Sequence, residues 1–66
     1  HVGVVTTSIP IGGEGALIVQ EGNLKRSFRA RTINDEGAAL GQEVCIERVD
    51  DDVAYVELWS AVEARL

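Results

Sequence analysis

Short apolar runs, separated by glycine-rich or acidic turns, recur along the chain at a spacing of about ten residues. The runs are rich in valine, isoleucine and threonine, whose branched side chains fit the pleated surface of a sheet. Pro10 removes a ladder donor after the first run, and Gly22-Asn23 is a typical hairpin signal. The pattern therefore predicts five strands, at residues 2–7, 15–20, 25–33, 43–49 and 53–59.

Five short strands in an open sheet would leave two edges unpaired, and closing the sheet removes both edges. The sequence therefore predicts an all-β fold, a five-stranded OB-like Greek-key β-barrel, in one domain over residues 1–66. The connection at residues 34–42, where such a barrel usually carries a helix, has room for one helical turn at 38–41. Residues 60–66 predict a short C-terminal helix, with Ser60 as N-cap and Glu63 at the capping-box position.

Alternation along each predicted strand indicates which side chains point into the barrel. On the third strand, Phe28 falls on the inward face, while Lys25, Arg29 and Arg31 share the outward face. The same argument applied to every strand gives a predicted core of Val4, Ile18, Phe28, Ala30, Val44, Ile46, Val56 and Leu58.

The residues that usually carry chemistry are scarce. Cys45 is the one cysteine, which excludes an internal disulfide, and His1 is the one histidine. Cys45 lies inside an apolar run without a neighbouring base or cation, so we interpret it as a packing residue. No nucleophile–base pair or set of metal ligands can be assembled, and we expect no catalytic residues, no metal, no cofactor and no small-molecule substrate.

Charge narrows the choice of partners. Eleven acidic and six basic residues give a formal net charge of −5, which argues against nucleic acid and against anionic lipid. No run of eighteen apolar residues is present to span a bilayer. The chain begins at His1 without a methionine, and we expect it to be a piece of a longer protein.

Two stretches of the sequence resemble one known family. In the first half these are GVVTT at 3–7, IP at 9–10 and GALIV at 15–19. In the second half they are Phe28-x-Ala30, the Gly37 turn and LGQEVCIERV at 40–49. Together they resemble the C-terminal domain of NfeD proteins over residues 2–58. The chain departs from that family in its last hairpin, where Asp50-Asp51-Asp52 replaces the usual glycine.

The resemblance implies an OB-like domain attached to transmembrane helices that lie outside this sequence, on the cytoplasmic side of the membrane. NfeD proteins work with stomatin- or flotillin-like membrane scaffold proteins. The implied partner is therefore a scaffold protein of that type, and self-association is the other possibility. Some longer family members carry a serine-protease domain, and none of its residues has a counterpart here.

Two surfaces are candidates for binding. Tyr55, Glu57 and Trp59 share one parity on the fifth predicted strand, and exposed aromatic side chains are typical anchors of protein interfaces. The alternative for the aromatic pair is that it covers the end of the barrel beneath residues 60–66. The second surface comprises Lys25, Arg29 and Arg31 on the third strand, where OB-folds that bind oligonucleotides make contact. A solvated strand face paired with nearby acids is the favoured interpretation of that surface.

Two loops look like ligand sites but are better explained as turns. Gly12-Gly13-Glu14-Gly15 is followed by a strand instead of a helix, and Glu14 would repel phosphate. Adjacent acidic side chains such as Asp50-Asp51-Asp52 diverge too much to enclose a cation. Because the acidic residues are concentrated late in the chain, we also expect a basic side and an acidic side on the barrel.

Overall fold

The computed structural model describes all 66 residues and contains five strands and one helix. The elements are β1 (Val2–Thr7), β2 (Gly15–Glu21), β3 (Leu24–Thr32), β4 (Glu43–Asp50), β5 (Val53–Leu58) and α1 (Trp59–Ala64). The five predicted strands are confirmed, with each end within one residue of its expected place. No helix is long and apolar enough to cross a membrane.

The strands form a closed barrel in the order β1-β2-β3-β5-β4. β1 pairs antiparallel with β2 on one side and with β4 on the other, which closes the cylinder. The β2–β3 and β4–β5 pairs are also antiparallel, whereas β3 and β5 run parallel. The predicted OB-like five-stranded barrel is therefore confirmed, with α1 as an addition outside it.

Both hairpins turn over two residues. Gly22-Asn23 joins β2 to β3, and Gly22 has the positive φ of 60° that a type II′ turn needs at its first central position. Asp51-Asp52 joins β4 to β5, and both residues have positive φ, at 51° and 64°. These are the φ signs of a type I′ turn, built here from two aspartates instead of asparagine and glycine.

The connection between β3 and β4 contains no helical turn, so the expectation for residues 38–41 is wrong. Ala38 instead forms an isolated bridge with Ile9, exchanging two N–H···O bonds of 2.8 Å each. Gly37 makes this approach possible, because its φ is 78° and a Cβ there would lie 2.7 Å from the Ile9 carbonyl oxygen. The connection between β3 and β4 is therefore attached to the β1–β2 loop by this bridge.

The helix also begins earlier than expected. α1 starts at Trp59, Leu58 occupies the N-cap position, and no side chain caps the helix. The predicted capping box of Ser60 and Glu63 is therefore wrong. Because β5 runs directly into α1, no residue lies between them to adopt a separate cap.

Six of the eight predicted core residues are in or against the core, and two are wrong. Ala30, Val44 and Val56 are fully buried, with Phe28, Ile46 and Leu58 packed against them. Val4 is instead 40% exposed, and Ile18 is only half-buried. The core also contains residues that alternation missed: Val5, Ile9, Leu17, Val19, Ala38 and Ala54.

The pairing of Val4 with Ile18 is present, but the pair points out of the barrel. Both strands have apolar side chains on both faces, so alternation alone does not choose the inner one. Gly3 decides the orientation of β1. It is buried, and a Cβ there would lie 3.1 Å from both Leu17 Cδ1 and the Ile18 carbonyl oxygen. The inner face is crowded at this point, and a side chain there would require its neighbours to shift by a few tenths of an ångström.

The corrected orientation of β1 predicts a contrast between two neighbouring valines. Val5→Ala should lower the free energy of unfolding by about 2 kcal/mol, because Val5 is 1% exposed. Val4→Ala is the matched control, with the same chemical change on the same strand, and should cost less than about 1 kcal/mol. Urea unfolding of both variants measures the difference. Equal costs, or a larger cost at Val4, would contradict the structure.

The type I′ turn predicts a stabilising substitution. Asp52→Gly should raise the free energy of unfolding by about 1 kcal/mol, because glycine adopts the left-handed region without the steric cost of a Cβ. Asp50→Gly, one residue before the turn and within β4, should instead be destabilising. Thermal unfolding distinguishes them, and a destabilised Asp52→Gly variant would contradict the turn assignment.

Candidate protein-interaction surface

Trp59 lies on the outside of the barrel, where β5 ends and α1 begins. Its half-buried indole lines an open groove of about 200 Å³ together with Gln42, Glu43, Ser60 and Glu63. We call these five residues the Trp59 groove. Because Trp59 is the first residue of the helix, the expectation that it lies on the exposed face of a strand is wrong. Its predicted role as an anchor stays a prediction.

Tyr55 points outward from β5 and is half-buried, with an arginine beside it in the register on each neighbouring strand. Arg31 of β3 and Arg48 of β4 are its partners in the sheet register. The Arg48 guanidinium lies over the Tyr55 ring, 4.3 Å from its centroid. A bulge at Glu47 lets Arg48 point outward, since strict alternation from Ile46 would direct Arg48 into the barrel. Tyr55 is therefore already occupied by a cation–π contact.

Glu57 is buried, at 8% exposure, although the sequence placed it on an exposed face. Arg65 covers it through a bidentate pair, with Nη1 donating to Oε2 and Nη2 donating to Oε1, each at 2.6 Å. These hydrogen bonds hold the pKa of Glu57 below its usual value, against the opposing effect of burial. They also raise the pKa of Arg65. Glu57 thus holds the end of the α1 segment on the barrel instead of facing a partner.

The basic residues of β3 do lie outward, as predicted, but two of them are engaged by loops. Arg29 donates to the Asp51 carbonyl oxygen at 3.2 Å and lies 3.7 Å from Glu14 Oε1. Arg31 donates to the Gly12 carbonyl oxygen at 3.0 Å. Lys25 is exposed and makes no ion pair or side-chain hydrogen bond. Since Arg29 lies beside Glu14 and the acidic turn, the expected separation into a basic and an acidic side does not hold there.

The remaining candidates have geometric explanations. Residues 12–15 form a turn and the start of β2, as expected for Gly12-Gly13-Glu14-Gly15. No group of three or more His, Cys, Asp or Glu side chains is arranged to hold a metal ion. Cys45 is half-buried on β4 and is a free thiol.

A second cavity of about 170 Å³ lies beside Arg26, whose guanidinium is 5.4 Å from the Phe28 ring centroid.

Comparison with solved structures identifies this architecture. No protein-family model matches the chain, and no curated protein matches it in sequence. A solved structure that does match is the solution structure of the soluble domain of the NfeD protein YuaF from Bacillus subtilis. The two are 21% identical, the match covers 88% of this chain and 69% of that one, and the TM-score is 0.79. The chain has the NfeD soluble-domain fold.

The resemblance to NfeD in residues 2–58 is thereby confirmed at the level of the fold. Two residues that shape the outer surface of the barrel were missed by the sequence analysis. Arg48 was assigned no role, because only the bulge at Glu47 brings it beside Tyr55. Arg65 was also missed, although its spacing of eight residues from Glu57 fits a chain that reverses after β5. The sequence did contain a signal for this contact, because Glu57 and Arg65 carry opposite charges on the two sides of the predicted junction between strand and helix.

The Glu57–Arg65 pair predicts a pH-dependent stability. Because the folded protein lowers the pKa of Glu57, the pair stabilises the fold above the usual carboxyl value near 4.5. That contribution should be lost as the pH falls from about 4.5 through the lowered pKa. Arg65→Met keeps an unbranched stem but removes the hydrogen bonds, so its stability should fall less steeply in this range.

Lys25→Met is the matched control, because Lys25 is an exposed cation without an ion-pair partner. Its pH profile should parallel that of the wild type. The measurement is thermal unfolding of the three proteins between about pH 6 and pH 3, the range in which carboxyl groups titrate. Parallel profiles for all three proteins would show that the pair does not contribute.

Proposed function

We propose that this chain is a non-catalytic protein-interaction domain of a membrane-anchored NfeD-like protein that works with a stomatin- or flotillin-type scaffold. The fold likeness to an NfeD soluble domain supports the assignment to this class. The observation that carries the interaction role is Trp59, an aromatic side chain lining an open groove on the outside of the barrel. Buried aromatic anchors surrounded by polar residues are typical centres of protein interfaces.

Outward side chains are the surface through which we propose that a partner binds. Every strand has a neighbour on each side, although β3 pairs with β5 only at Arg29–Thr32 and β1 pairs with β4 only at Val2–Val4. On the outward face, Tyr55 and Glu57 are already engaged by Arg48 and Arg65. Trp59 is the member of the predicted trio that a partner reaches without first displacing an arginine.

The position of the two groups with shifted pKa values supports a non-catalytic role. The two groups with shifted pKa values, Glu57 and Arg65, are bound to each other outside both cavities. A strained or perturbed group in a cleft is the usual sign of a catalytic site. Here the perturbation is explained by an ion pair that fastens the C-terminal segment.

An OB-fold nucleic-acid-binding module is the second candidate. It is favoured by one observation, the position of Tyr55 between Arg31 and Arg48, which combines a ring with two cations. Against it, Arg29 and Arg31 are engaged by loop carbonyl oxygens, and the chain carries a net charge of −5. The acidic turn at Asp50-Asp51-Asp52 beside Arg29 would repel phosphate.

The protein-interaction proposal predicts the effect of removing Trp59. Trp59→Ala should weaken binding to the stomatin- or flotillin-type protein of the same organism by about 2 kcal/mol or more. If the partner is a second copy, the same loss should appear as reduced self-association. Calorimetry and sedimentation measure the two cases.

Ile11→Ala is the control, because Ile11 is an exposed apolar residue outside the groove. Thermal unfolding of both variants separates lost binding from lost folding. A Trp59→Ala variant that loses stability but binds normally would refute the proposal. Salt-dependent binding of single-stranded oligonucleotide that is lost in Arg31→Ala would establish the second candidate instead.

A further inference from the structure

The Trp59 groove has an uneven chemical lining. Its five residues comprise one indole, two carboxylates, one amide and one hydroxyl, and none of them is a cation. The carboxylates of Glu43 and Glu63 make no ion pair and no side-chain hydrogen bond within the chain. An aromatic face and two unpaired negative charges therefore border the same open space.

Arg65 is the cation closest in sequence to Glu63, and it does not neutralise the groove. Both of its terminal nitrogens are held by Glu57, at 2.6 Å each. The ion pair thus holds this guanidinium on Glu57 and leaves Glu63 without a cation partner. The net charge of −5 adds a general attraction for positively charged partners.

We propose that the Trp59 groove binds a lysine or arginine side chain from a basic segment of a partner protein. The cation would stack on the indole of Trp59 and pair with Glu43 and Glu63. This inference rests on the proposed interaction function and specifies the chemistry of the partner. An acidic segment would be repelled by the two carboxylates. A purely apolar segment would displace water from the carboxylates without supplying hydrogen bonds in its place.

The groove carries its own spectroscopic probe, because Trp59 is the one tryptophan in the chain. Titration with an acetylated and amidated tetra-arginine peptide should change the Trp59 emission in a saturable way. The apparent affinity should fall as salt rises from about 50 mM, because exposed charges are screened. An acetylated and amidated tetra-glutamate peptide should leave the emission unchanged.

Substitution of the carboxylates tests the assignment. Glu43→Gln combined with Glu63→Gln should weaken tetra-arginine binding by about tenfold, since each exposed ion pair contributes modestly. Glu21→Gln combined with Glu36→Gln removes the same charge outside the groove and should stay within about twofold of the wild type. Trp59→Leu keeps an apolar side chain but loses the π face, and calorimetry should show weaker binding by a folded variant.

Three results would overturn the inference: no saturable emission change, equal weakening in both double variants, or no effect of Trp59→Leu. These results differ from failure of the proposed function. A scaffold protein whose binding depends on Trp59 but not on Glu43 and Glu63 would refute the cationic ligand alone. Tetra-arginine binding with normal scaffold binding by Trp59→Ala would refute the scaffold role alone.

Discussion

The parallel contact between β3 and β5 is the pairing on which the rest of the structure depends. Antiparallel neighbours can form through short hairpins, but this contact joins strands separated by the whole of β4 and its connections. Without it, the other pairings would form an open sheet in the order β3-β2-β1-β4-β5, with β3 and β5 as its edges, and the β3–β5 contact closes this sheet into a cylinder. The small core is enclosed only because the cylinder is complete.

Two side-chain contacts shape the outer surface of the closed barrel. The bulge at Glu47 brings Arg48 over Tyr55, and the reversal after β5 brings Arg65 onto Glu57. These two contacts fasten the outer surface of β4 and β5. They leave Trp59, with Glu43 and Glu63 beside it, as the exposed combination of an aromatic ring and charge.

The strands and turns could be predicted because their signals are local. Glycine, proline and aspartate mark the turns, and the branched residues between them mark the strands. The inner face of β1 and β2 could not be predicted, because Val4 and Val5 are chemically identical and only the crowding at Gly3 distinguishes them. The arginine contacts were missed because Arg48 depends on a bulge and Arg65 on a chain reversal, which are tertiary features. The NfeD-like fold could be predicted because the glycine and aliphatic motifs at 3–7, 15–19 and 40–49 resemble that family, although the identity to the matched structure is only 21%.

Hydrogen exchange at the β3–β5 contact tests the closed barrel most directly. The Ile33 amide donates to the Val56 carbonyl oxygen at 2.9 Å, although the Ile33 side chain is exposed. In a closed barrel this amide should exchange as slowly as amides in the centre of the β2–β3 hairpin, because both open only with global unfolding. Exchange of the Ile33 amide at the rate of loop amides would show that β3 and β5 are free edges, and would contradict the account.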